Sequence, residues 1–182
     1  PEKNKAVTMH DVFSKGDSYF NTGDLVRNIG FRHAQFVDRL GDTFRWKGEN
    51  VSTTEVENML TEYDKIIEAV VYGVEIPNTN GRAGMAAITL QSGSTINDQD
   101  LKNMVSTFKR CLPTYAVPVF LRIQKQVETT GTFKYQKNKL KEQAFDPNKT
   151  DERLLVLLPG SDAYCELTQE IFENIQAYQY RF

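Results

Sequence analysis

The chain has 182 residues, 40% of them apolar and 25% charged, with a formal net charge of −2. This is ordinary globular composition, long enough to bury a core without staples, and its overall field does not draw it toward nucleic acid. Cys111 and Cys165 lie far apart, and His10 and His33 have no nearby Cys or second His, so the spacing suggests no metal site and two reduced thiols inside a cell. The longest unbroken apolar run, Leu154–Leu158, falls far short of the roughly 20 residues that span a bilayer. A chain that starts on Pro1 with no signal peptide reads as a piece of a longer product, silent on targeting signals upstream.

In chain order, residues 1–37 mix short β-type runs with turns at Asn21-Thr22-Gly23-Asp24 and Asn28-Ile29-Gly30. An alternating run from Phe31 to Val37 then fits a hairpin or sheet edge. Residues 38–50 read as a linker and a short hairpin turning near Lys47-Gly48-Glu49-Asn50. Ser52 and Glu55 form a capping box for a helix whose Val56, Met59, Leu60 and Tyr63 make one apolar stripe. Strands follow at Ile66–Ile76 and Met85–Leu90. A helix runs from Asp98 to Cys111, with Leu101, Met104, Val105, Phe108 and Leu112 on one face. A strand at Val119–Ile123 precedes a lysine-rich helix, Tyr135–Phe145. The tail adds a strand at Leu154–Leu158 and a helix from about Leu167 to Tyr180. This mixed order predicts a compact α+β fold of short sheets with flanking helices.

Several segments carry groups suited to chemistry. In Tyr19–Asp24 a carboxylate at the end of a turn can accept two hydrogen bonds from a vicinal diol such as ribose, or simply bond its own backbone. In Asp38–Glu57 an Arg beside a glycine linker can bind phosphate or ribose, or form surface ion pairs of little energetic value. In Thr129–Lys141 a lysine at the end of a polar Gly loop can set a point charge on a phosphate or carboxylate. Lys134, Lys137, Lys139 and Lys141 crowd this stretch, which otherwise reads as a solvated basic helix face. No aromatic platform supports nucleic-acid binding there.

The order and spacing of these segments are more distinctive than any one of them. DSYFNTGDLVRNIGFRHAQFVDRL, then FVDRLGDTFRWKGENVSTTEVE, then LPTYAVPVFLRIQ and TGTFKYQK resemble the adenylate-forming superfamily, and specifically its branch of very-long-chain fatty acyl-CoA synthetases and fatty acid transport proteins. The resemblance covers nearly the whole chain, tail included, and is to the C-terminal portion of such enzymes. It implies that residues 1–38 end a large N-terminal AMP-binding domain and that residues 39–182 form a small C-terminal lid domain with a family-specific tail.

The resemblance also implies site residues. Asp24 matches the aspartate that binds the ribose hydroxyls, and Arg39 an arginine that contacts the nucleotide. Gly41 falls at the pivot of the lid, where many relatives carry Asp or Lys. Gly48 falls in the hairpin lining the CoA tunnel. Lys134 matches the adenylation lysine, although the usual Ser-Gly-Lys loop here reads Thr132-Phe133-Lys134. ATP, Mg and CoA are the implied cofactors, and fatty acid, ATP, CoA and the large domain the implied partners, with no nucleic acid. Family resemblance further implies an intracellular, membrane-associated protein of the endoplasmic reticulum, peroxisome, lipid droplet or plasma membrane, attached through its upstream region. The phosphate loop and fatty-acid tunnel belong to the large domain, so this piece alone is expected to be inactive. Two other readings remain open on the residues: an interaction module for a protein or membrane, and a basic-helix nucleic-acid binder.

Overall fold

The computed structural model describes residues 8–39 (the last three as backbone only), 43–124 and 137–182. It divides into two compact units, Pro1–Gly41 and Asp42–Phe182.

The first unit is a pair of hairpins. β1 (Thr8–His10) pairs with β2 (Ser18–Phe20) antiparallel. Their connection closes on Asp17, whose carboxylate accepts the N–H groups of Val12, Phe13 and Ser14 at 2.7, 3.0 and 2.8 Å. Desolvation pushes this carboxyl's pKa up, but the three donors outweigh it and hold the group below its ordinary range. β3 (Asp24–Gly30) pairs with β4 (His33–Arg39), with Val37 as an extra residue in the ladder. The turn expected at Asn28-Ile29-Gly30 instead falls on Phe31 and Arg32, at φ of 50° and 63°. Asn28 uses its side chain to accept the Gly30 N–H at 2.9 Å, which keeps it at the strand end. A two-residue loop with both φ positive matches the twist of the strands it joins. Among the described residues of the unit neither hairpin has a second layer: Phe13, Phe20, Val26, Ile29, Phe31 and Phe36 are between 54% and 96% exposed.

The second unit starts with a small hairpin, β5 (Phe44–Trp46) and β6 (Glu49–Val51), followed by α1 (Thr53–Thr61). Next come β7 (Ile66–Val74), β8 (Ala83–Leu90), α2 (Asp98–Cys111) and β9 (Phe120–Gln124). α3 (Lys137–Gln143), β10 (Arg153–Val156), β11 (Cys165–Glu166) and α4 (Gln169–Gln176) complete it. The five-stranded sheet has the order β11-β10-β9-β8-β7. β8 and β9 run parallel, and the other neighbours antiparallel; α2 is the crossover that the parallel pair needs.

Ser52 caps α1 by accepting the Glu55 N–H, and Val56 and Leu60 are buried beneath it. α2 occupies the span that its apolar stripe predicts, locked at its start by a reciprocal cap between Asn97 and Asp100. α4 is shorter than its pattern suggests. Leu167 donates to the Leu154 carbonyl at 2.9 Å and so belongs to the sheet edge, Thr168 is the cap, and Tyr178 leaves helical geometry at φ 60°. Phe120 in the sheet stacks on Phe145 with ring centroids 4.2 Å apart, and Phe145 meets Phe172 of α4 edge-on at 5.8 Å. Both cysteines are free. Among the described residues no helix is long and apolar enough to cross a membrane.

Candidate functional site

Asp24 is delivered by a turn built from its own side chains. Gly23 sits at φ 73°; its N–H bonds the Asn21 side chain at 2.9 Å, and the Asp24 N–H bonds the Thr22 hydroxyl at 3.2 Å. Asp24, half-buried, opens β3. Its cross-strand partner is Arg39. Two residues singled out fifteen positions apart for nucleotide contact are therefore neighbours, with Cα atoms about 5 Å apart as direct partners are, at the open end of one hairpin.

Gly48 lies at the tip of the β5–β6 hairpin, as expected. Lys47 and Gly48 form its two-residue loop at φ 51° and 86°. Open space surrounds the position of a Cβ on Gly48, so its backbone angle rather than crowding is what demands glycine. Arg45 Nε donates to the Gly48 carbonyl at 2.9 Å, and Lys47 Nζ lies 5.8 Å from the centroid of the Trp46 ring.

What holds this hairpin was not visible in the motif. Phe44 and Trp46 are 7% and 3% exposed. Phe44 rests on Gly73 and Gly84, which face each other across β7 and β8; a Cβ on Gly73 would come 2.7 Å from Phe44 Cβ. Trp46 forms a bridge to Gly81, and Arg82 donates its N–H to the Arg45 carbonyl at 2.7 Å. The available signal was glycine inside otherwise apolar strand patterns, which marks close approach of another element.

Beside the hairpin a cavity of about 290 Å³ is lined by the cations Lys47, Lys109 and Arg181 over an apolar floor that includes Trp46, Val117 and Leu157. None of its lining among the described residues is acidic. A larger cleft of about 650 Å³ lies between the β7–β8 connection and α3 and α4. Its charges are already matched, Arg82 with Glu75 at 3.1 Å and Lys149 with Asp146 at 3.8 Å.

Gly41 and Lys134 lie outside the described residues. Of the neighbouring lysines, Lys139 and Lys141 are exposed, as a solvated helix face requires. Lys137 departs from that expectation. Its ammonium reaches Glu57 Oε1 at 3.3 Å, and the two side chains are only 19% and 23% exposed. The same carboxylate oxygen accepts the Val71 N–H at 2.8 Å. Among the described residues no group of three His, Cys, Asp or Glu side chains is placed to hold a metal ion.

Comparison with known proteins fits this geometry to a family. Residues 55–134 match the model of the AMP-binding enzyme C-terminal domain. The chain is 47% identical over 173 residues to long-chain fatty acid transport protein 6 of Mus musculus, covering 95% of this chain and 28% of that protein. It is 44% identical over 176 residues to a medium/long-chain fatty-acid–CoA ligase of Mycobacterium tuberculosis, covering 94% of this chain and 29% of that one. It thus spans less than a third of the length of these relatives. Among solved structures, the amide bond synthetase McbA of Marinactinospora thermotolerans superposes with a TM-score of 0.63 at 26% identity, over 78% of this chain and 26% of that one. ATP-bound MatB of Rhodopseudomonas palustris gives 0.66 at 24% identity, over 81% and 27%, and bears on the fold alone. The chain belongs to the adenylate-forming family, in its branch of fatty acid transport proteins and fatty acyl-CoA ligases, and corresponds to the C-terminal portion of such a protein.

Proposed function

We propose that the protein containing this chain is an AMP-forming ligase that activates long-chain or very-long-chain fatty acids as CoA thioesters, coupled to fatty acid transport. The observation that carries the reading is the cross-strand pairing of Asp24 with Arg39, since it gives one hairpin end a carboxylate for the ribose hydroxyls and a cation for the nucleotide. In the first step the fatty acid carboxylate attacks the α-phosphate of ATP and pyrophosphate leaves, giving acyl-AMP. In the second the CoA thiolate displaces AMP.

In this reading residues 1–38 finish a large AMP-binding domain. The exposed phenylalanines of the first unit support it, because an isolated two-stranded hairpin has too little burial to stand alone. Residues 39–182 are the lid. Lys134 stabilises the charge that develops between carboxylate and phosphate in the first step. Rotation about Gly41 then withdraws it and brings the Gly48 hairpin to the CoA tunnel, one domain thereby serving both half-reactions. The cationic cavity at Lys47, Lys109 and Arg181 supports CoA as the second substrate, because its phosphates need such charge near the tunnel. Magnesium would enter on the ATP phosphates, and no residue of this chain is assigned to it. The phosphate loop, the acyl tunnel and the membrane attachment fall to the upstream region, so the isolated chain forms no acyl-CoA.

The test is Lys134→Ala in the full-length enzyme. It should abolish acyl-AMP formation from fatty acid and ATP, followed by pyrophosphate exchange, while supplied acyl-AMP and CoA still give acyl-CoA. Normal adenylation, or equal loss of both half-reactions in a folded enzyme, defeats the assignment.

A further inference from the structure

Glu57, on α1, joins three elements through one carboxylate. It accepts the N–H of Val71 on β7 and the ammonium of Lys137 at the start of α3. Among the described strands β7 is an outer one, so its outward backbone donors have no strand there to bond, and Glu57 accepts from one of them, the Val71 N–H. For Lys137 the choice of partner is equally pointed. A cation in the first turn of a helix opposes the helix dipole, so Lys137 gives α3 nothing as an isolated helix, and its bond to Glu57 is made across the fold. Both side chains are mostly out of water, so the loss of either charge leaves the other in a poorly solvated setting.

Lys137 follows Lys134 by three residues in the sequence. Glu57 stands on the helix that continues directly from β6, and hence from the Gly48 hairpin. The pair therefore fixes the start of α3 relative to the hairpin helix and the sheet edge, and with it the root of the chain that carries Lys134. We infer that the Glu57–Lys137 ion pair is a positioning device for the adenylation step, setting where the catalytic lysine originates without touching substrate itself. This rests on the assignment of Lys134 above. Misplacement of a reacting group by a fraction of an ångström to 1 Å is enough to slow such a step strongly.

The experiment uses the full-length enzyme with Glu57→Gln, Lys137→Met and Lys137→Arg. Glu57→Gln keeps an acceptor for the Val71 N–H and removes only the charge, so the fold is preserved. Glu57→Gln and Lys137→Met should each lower kcat for adenylation about tenfold or more. KM for ATP and thioester formation from supplied acyl-AMP should stay within about twofold. Lys137→Arg should restore most of the rate, and the double variant Glu57→Gln/Lys137→Met should be no slower than either single one. Amide exchange across α3 should accelerate in Lys137→Met and return toward normal in Lys137→Arg. Undiminished adenylation, parallel loss of both half-reactions, no rescue by arginine, or unchanged exchange in α3 each overturns the inference. Normal adenylation by Lys134→Ala would remove the lysine from the mechanism and the catalytic half of the inference with it. The exchange of α3 reads the anchoring alone and so tells that failure from failure of the pair.

Discussion

The β3–β4 and β5–β6 hairpins use the same loop geometry and opposite means of support. Each turns through two residues at positive φ, Phe31-Arg32 in the first and Lys47-Gly48 in the second. Phe31 is 96% exposed, and none of the described residues of its own unit underlies the strands that lead to it. Phe44 and Trp46, by contrast, are pressed into the sheet of theirs. The candidate functional groups follow this division. Asp24 and Arg39 occupy the open end of the first hairpin, where the ladder defines position, whereas Gly48 occupies the tip of the second, where the seat beneath defines it. A hairpin tip keeps a defined position only if its base is held.

The comparison can be broken most directly at Phe44. Phe44→Ala in this chain should cost about 3–5 kcal/mol of unfolding free energy, as emptying a buried aromatic site does. Phe31→Ala should stay within about 0.5 kcal/mol, as exposed changes do. Denaturant titration of the two variants checks this, and equal losses would erase the distinction between the hairpins.

A smaller effect is expected on binding. Asp24→Ala in the full-length enzyme should weaken ATP affinity by about 1.5–3 kcal/mol, the worth of a hydrogen bond to a charged acceptor, without moving the thermal midpoint of the second unit. Unchanged affinity by calorimetry would take Asp24 out of the nucleotide site.

The smallest effect tests how far the second unit depends on charge. Asp100 bonds the Asn97 N–H at 2.9 Å and the Lys65 ammonium at 2.7 Å. These partners, the backbone bond foremost, hold its carboxyl pKa below the ordinary value. A depressed folded pKa gives stability that is fully present above the unfolded value and is lost as the pH falls through the folded one. Asp100→Asn should therefore cost roughly 0.3–1 kcal/mol near neutral pH. It should cost nothing once the medium is more acidic than the depressed value. Chemical denaturation of both proteins across the acid range measures the difference, and a gap that persists in strong acid would assign the effect to something other than charge.

Local signals carried much of this fold in the sequence. α2 was legible because its apolar spacing fills the whole span between Asn97 and Leu112. The β5–β6 turn was legible because Lys47-Gly48 contains the glycine that positive φ calls for. The β3–β4 turn was not, since Phe31 and Arg32 carry no turn chemistry and the nearby Asn28 and Gly30 do. At the candidate site, the family resemblance pointed to Asp24, Arg39 and Gly48, and only the ladder shows that Asp24 and Arg39 are cross-strand partners. The link between Glu57 and Lys137 spans 80 residues, and no periodicity reaches that far. The exposed neighbours Lys139 and Lys141 made Lys137 look like one more solvated cation.

The support under Phe44 is made of main chain, and main chain has no rotamers. A seat built from leucine or methionine could be deepened or raised in small steps as one side chain replaced another. At Gly73 the nearest neighbour leaves no room even for a methyl group, so that route is closed from the sheet side. The height of the hairpin above Gly73 is a fixed stop, and any change in it must come from the residues at positions 44 and 46 instead.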